Sequence, residues 1–212
     1  MIAHQLPPGD TPSEKFSNPV LQNIYGRRSN RNYKPDPVPD DVLVELINAG
    51  IYAPTATNQQ LWRFAVVTDR ATIDRYSDLA KQLWLGKILP GMAAAPGAPG
   101  AEKIAYVEKM MRSPIHIFHH APALVLIFAP PAGFIEADCS CAAENMMLAA
   151  RSLGLGSCWI GFANPLGTDD KTLEELKVPK GHRIMAALVF GYPTNEAQKA
   201  PPRNKDVIIS WT

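Results

Sequence analysis

The run Ala123-Leu-Val-Leu-Ile-Phe-Ala129 contains no polar residue and is closed by Pro122 on one side and Pro130-Pro131 on the other. An apolar run without alternation cannot leave one face in water, so it reads as a strand buried on both faces. It is too short to span a bilayer even with its flanks, and proline breaks it. Arg183-Ile-Met-Ala-Ala-Leu-Val-Phe190 repeats the pattern. Strands of this kind need helices layered over the sheet, and the chain has the means to supply them: 212 residues, 46% hydrophobic and 19% charged. A domain of this size buries roughly 70% of its unfolded surface. Disorder as the main state is excluded, and no disulfide or metal staple is needed to fold.

Helices alternate with the strands along the chain. Ser17-Asn18-Pro19 offers caps and a first-turn proline, Val20, Leu21, Ile24 and Tyr25 share one side, and Gly26 ends the helix. Asp40 and Asp41 open a second helix whose apolar positions run to about Tyr52. Ala53 to Gln60 is a polar loop, and Trp62 to Thr68 alternates as a strand. A helix is expected over about 71–89, followed by a Pro/Gly/Ala-rich hinge or lid at 91–101 and a helix-compatible stretch at 102–112. The strongest helix spans 134–153, with Gly154 as its stop. Ser157 to Gly161 reads as a short strand or loop, and Asp169 to Leu176 as a helix closed by Pro179. Residues 1–16 read as a loose arm, and the apolar tail Val207 to Trp211 as a segment that docks on something. The expectation is one α+β domain over 17–212, with helices covering a central sheet.

Twenty-one Lys and Arg balance 20 Asp and Glu, for a net charge of +1. That excludes a broad basic surface for nucleic acid or membrane and leaves room only for a small basic pocket. Three cysteines, Cys139, Cys141 and Cys158, are too few for a disulfide framework and suit a reducing compartment. With no signal peptide visible at the N-terminus, the reading is a soluble cytoplasmic protein.

Within Arg27-Arg28-Ser29-Asn30-Arg31, three guanidiniums and a hydroxyl suit an anion with several oxygens, such as a phosphate. The same cluster also reads as a solvated surface patch. Asn58 and Gln60 carry amides that both donate and accept, which suits a heterocycle with carbonyls and ring nitrogens; turn chemistry accounts for them equally. His116, His119 and His120 would share a face if helical and could then hold a metal. They lead into a strand, however, and no Asp, Glu or Cys lies close by in sequence, so the plainer reading is a strand-entry cluster. Cys139 and Cys141 do not face each other on a helix and read as small buried residues. Trp159 reads as core or pocket wall. No dinucleotide fingerprint, P-loop or Gly-x-Ser-x-Gly is present.

Four segments in order carry a resemblance. Arg27 to Arg31 with Ala53-Pro-Thr-Ala-Thr-Asn-Gln-Gln-Leu-Trp62 resembles the opening of the FMN-dependent nitroreductase family. Ala142 to Gly161 resembles that family's central helix and flavin-edge strand, and Phe190-Gly-Tyr-Pro193 with Pro201-Pro-Arg203 its closing strand and phosphate-binding arm. The resemblance implies a mostly antiparallel sheet flanked by helices and a homodimer that exchanges C-terminal tails, with FMN at the interface. By analogy, Arg27, Arg28, Ser29 and Arg31 hold the phosphate, ribityl chain and pyrimidine edge, and Arg203 adds to the phosphate grip. Thr55, Asn58 and Gln60 come from the partner to the isoalloxazine. Trp159, Ile160 and Gly161 line the ring, partly through backbone amides.

The implied activity is ping-pong hydride transfer from NADH or NADPH through FMN to a nitroaromatic, quinone or enone, with no catalytic side chain required and no metal. Relatives on the same fold imply alternatives: a flavin-binding or regulatory module without turnover, or an enzyme that fragments flavin or removes halogen. The chain departs from the branch with a Pro-x-Glu-Gly segment, having Cys158-Trp-Ile-Gly161 there, and Pro201 stands where some members carry Lys.

Overall fold

A computed structural model describes residues 18–95, 99–194 and 199–211. Its centre is a four-stranded sheet in the order β1-β2-β4-β3, with β1 at Arg63–Val67, β2 at Ala123–Ala129, β3 at Gly156–Trp159 and β4 at Arg183–Gly191. Every pairing is antiparallel. The architecture is the α+β one expected.

The apolar run decides the layering through its period of two. Ala123, Val125, Ile127 and Ala129 of β2 enter one core with Ala186, Leu188 and Phe190 of β4. Helices α2 (Asp40–Ile51) and α6 (Ile135–Ser152) close this side with Leu43, Leu46, Ile135, Ala142 and Met146. Leu124, Leu126 and Phe128 enter a second core on the other face with Ala187 and Val189. There α3 (Arg70–Leu83) contributes Ile73, Tyr76 and Ala80, and α5 (Ala101–Arg112) contributes Met111. Each large aliphatic or aromatic side chain so buried is worth about 1.5–3 kcal/mol. The helices are stopped and started locally. Asn18 caps α1 (Pro19–Gly26) by accepting from the Leu21 N–H, and Asp69 and Asp169 cap α3 and α7 (Asp170–Glu175) by accepting from Thr72 and Thr172.

The stretch expected as a helix to residue 89 is helical further. A π turn at Trp84–Ile88 joins α3 to α4 (Leu89–Ala94). Pro90 has no N–H to give the carbonyl four residues back, and the wider turn precedes it. The segment expected as a hinge or lid is therefore helical over Gly91–Ala94, and α5 starts at Ala101. Residues 96–98 lie outside the described residues, as does the arm expected at 1–16. Ser157 lies in β3, which is followed by a 3-10 stretch at Gly161–Thr168. Cys139 is buried as expected, but Cys141 is exposed, because two residues along a helix turn the side chain away from the core. The tail, residues 199–211, forms no helix or strand, with Val207 56% and Ile209 102% exposed. No helix among the described residues is long and apolar enough to cross a membrane.

Candidate functional site

The basic cluster starts where α1 stops. Arg27 caps α1, its backbone N–H donating to Asn23 and Ile24 carbonyls, and its Nε lies 3.2 Å from Glu144 Oε1 on α6. Arg28 Nη1 donates to the Tyr25 and Arg27 carbonyls at 2.7 Å each. Beyond them the chain lies along the sheet edge: Ser29 bridges Ser157, the Asn30 N–H donates to the Ser157 carbonyl at 2.9 Å, and the Lys34 N–H donates to the Tyr192 carbonyl at 2.8 Å. Gly156 permits the approach, since a Cβ there would stand 2.8 Å from Asn30 Cγ.

Tertiary structure adds cations from far along the chain. Arg28 is pushed below the ordinary guanidinium value, first by burial and then by the charges of Arg203, Arg151 and Arg27. The Arg203 charge is therefore felt at Arg28 across the fold. Arg151, in the last turn of α6, was not singled out from sequence. A basic residue there reads as a complement to the helix dipole. Its Nε is buried with no hydrogen-bond partner among the described residues, and its guanidinium fills the space that a Cβ on Gly26 would take. Like charges gathered this closely make the region electropositive.

Arg31 is exposed and points toward different neighbours. Burial, followed by the charge of Arg31, pushes His119 down to about 4. Burial also raises the Cys158 thiol, against the opposing pull of Arg31 and the Ser29 hydroxyl.

The amide loop is tightly folded on itself. Thr57, Asn58 and Gln60 adopt positive φ of 52°, 56° and 50°. Thr55 Oγ1 accepts from the Gln60 N–H at 3.4 Å, and Gln60 Nε2 donates to Asn58 Oδ1 at 2.8 Å. Asp138, buried in the first turn of α6, accepts from the Ala56 N–H with both oxygens at 3.2 Å. Sequence reading missed Asp138, whose only signal was an acid near a helix start. Along α6, Asp138 holds the loop near one end, Glu144 braces Arg27 in the middle, and Arg151 stands at the other end. Asp138 and Arg151 mark opposite ends of α6, about 20 Å apart at 1.5 Å per residue.

Trp159 ends β3 half-exposed at 37%. The Ile160 side chain is 4% exposed in the second core, and its N–H donates to the Ala187 carbonyl at 2.8 Å. That amide is committed to the sheet because the chain still pairs with β4 at this point. Gly161 is exposed and begins the 3-10 stretch. The three histidines are not on a helix; His119 and His120 both take positive φ of 54° in the turn before β2.

Known proteins resemble this chain over most of its length. The model of the Nitroreductase family matches residues 24–192. The NADH dehydrogenase of Thermus thermophilus is 52% identical over 207 residues, covering 87% of this chain and 92% of that protein. An FMN reductase (NAD(P)H) of Bacillus subtilis is 29% identical over 185 residues, covering 87% of this chain and 70% of that protein. The crystal structure of a nitroreductase with bound FMN from Bacteroides fragilis superposes with a TM-score of 0.74 at 30% identity, covering 92% of this chain and 100% of that one. With the sheet, the arginine cluster and matches over most of its length in agreement, the chain belongs to the Nitroreductase family.

Proposed function

We propose that this chain is an FMN-dependent oxidoreductase that draws electrons from NADH or NADPH and delivers them to an electron-poor small molecule: a nitroaromatic, a quinone or an enone. The observation that carries the reading is the arginine cluster. Arg28 stands among Arg203, Arg151 and Arg27, and the Arg151 Nε has no partner among the described residues. A phosphate dianion relieves the mutual repulsion. The Thermus and Bacillus relatives carry names for NADH and NAD(P)H chemistry, and the Bacteroides neighbour binds FMN.

When bound, FMN supplies the electron relay between nicotinamide and acceptor. The chain's own residues bind and orient. Arg28, Arg151 and Arg203 hold the phosphate, with Arg27 braced by Glu144 beside them. Ser29 and Arg31 reach toward the ribityl chain and pyrimidine edge, where a guanidinium stabilises negative charge on the ring. Trp159 and Gly161 form a wall, and the buried Ile160 supports it from behind.

We take the working form to be a cytoplasmic homodimer. The supporting observation is the separation of Asn58 and Gln60 from the arginines along α6. A second copy with its α6 running antiparallel brings its amide loop to this chain's arginines. A groove of about 610 Å³ between α1 and α6, lined by Val20, Ile24 and Leu148, and the exposed apolar tail offer surfaces for that copy.

An absorbance spectrum after FMN reconstitution and desalting, then after anaerobic NADH or NADPH addition, tests the reading. A retained flavin band that bleaches is expected. Loss of flavin on desalting refutes the binding site, and a retained band that does not bleach refutes the reductase.

A further inference from the structure

The histidine cluster, which the flavin reading does not use, gains from α3 the carboxylate that sequence proximity denied it. Asp74, His116 and His120 each place one ligand atom within 4.8 Å of the other two. Asp74 Oδ1 and His116 Nε2 are already 2.9 Å apart, sharing a proton. Ligands around a tetrahedral zinc ion stand about 3.3 Å apart, so rotation of the exposed His120 side chain closes the set. His116 and His120 also line a surface cavity of about 550 Å³ with Arg31, Tyr33 and Thr194, through which an ion enters.

Two features go beyond mere proximity. The elements are pinned together: Ser77 Oγ on α3 accepts from the Ile117 N–H at 3.1 Å, and Lys81 Nζ donates to the Ser113 carbonyl at 2.8 Å. The two segments that carry the ligands are therefore held together before any ion arrives, and only the His120 side chain has to turn. A cation also already occupies the spot. Arg70 Nε lies 3.4 Å from Asp74 Oδ1, and Arg70 Nη2 lies 3.4 Å from His120 Nδ1. Two of the three ligand atoms hold this guanidinium by long contacts on a half-exposed side chain, which cost little to break.

We propose that Asp74, His116 and His120 bind one divalent first-row metal ion, Zn²⁺ by preference, in competition with Arg70. Two imidazoles and one carboxylate select Zn²⁺ over the hard Mg²⁺ and Ca²⁺, and water completes the tetrahedron. On binding, His116 gives up its single ring proton from Nε2 and takes one from solvent on Nδ1, a change of tautomer with no net proton released, at the cost of the 3.3 Å bond that Nδ1 now accepts from the His120 N–H. The ion ties α3 to the entry of β2.

The test uses the purified, tag-free full chain, stripped of metal and titrated with Zn²⁺ by calorimetry and with Co²⁺ by visible absorption. One ion per chain is expected, with the intense Co²⁺ bands of a four-coordinate site. Asp74→Asn and His120→Gln each weaken binding by about tenfold or more, and His119→Gln leaves it unchanged. Arg70→Ala tightens binding, a gain that misfolding cannot produce. No Co²⁺ bands, binding indifferent to Asp74→Asn, or weaker binding in Arg70→Ala overturns the proposal.

Discussion

Arg203→Gln separates a cofactor role for the arginine cluster from a structural one, because the two predict opposite signs. In the apoprotein, Arg203 contributes charge that opposes the Arg28 guanidinium. Removing it takes away a repulsion, so apoprotein stability stays level or rises, within about 0.5 kcal/mol as for other surface changes. With FMN present, the same substitution removes a charge-assisted hydrogen bond to phosphate, worth roughly 1.5–3 kcal/mol. At about 1.4 kcal/mol per decade, FMN affinity falls roughly ten- to 150-fold. Fluorescence quenching of FMN measures the second quantity and urea unfolding of apoprotein the first. The affinity gap between wild type and variant narrows as the Debye length falls from about 10 Å at 0.1 M to about 3 Å at 1 M salt. An unchanged FMN affinity, or an apoprotein weakened by more than about 1 kcal/mol, refutes the reasoning. In the first case Arg203 does not reach the phosphate, and in the second it is a structural brace.

Asp138→Ala leaves the Ala56 N–H unpartnered and removes an acid from the first turn of α6, so urea unfolding should show a loss of about 2–4 kcal/mol; Asp138→Asn, which keeps an acceptor, should lose less. Burial pushes the Cys139 thiol up to about 11 and also raises Cys158, so native protein should expose at most the Cys141 thiol to a thiol reagent at pH 8, and unfolded protein all three. Hydrogen bonds from the Thr172 hydroxyl and backbone N–H hold Asp169 below its ordinary value of 3.8. Its cap is therefore fully present above that value and is lost as pH falls through the lower folded value. Asp169→Ala should cost about 1 kcal/mol at pH 7, and unfolding curves of variant and wild type should converge in acid.

The strands, the long helix and the core were legible in the sequence because their causes are local. A period of two in Ala123 to Ala129 fixes which side chains enter which face, and Asn18, Asp69 and Asp169 sit within three residues of the N–H groups they cap. Arg27 to Arg31 stand out in the sequence as a candidate anion site, since charge density needs no fold to be seen. What the sequence could not carry is which distant residues share a space. Arg151 comes near Arg28, Asp138 holds the Asn58 loop, and Asp74 reaches His116 only because helices packed on the sheet lie against loops distant in sequence. Packing also corrected one local reading, since Cys141 faces outward and not into the core. Local pattern sets secondary structure and burial, whereas partners for polar groups depend on the relative placement of elements, which only the packed core decides.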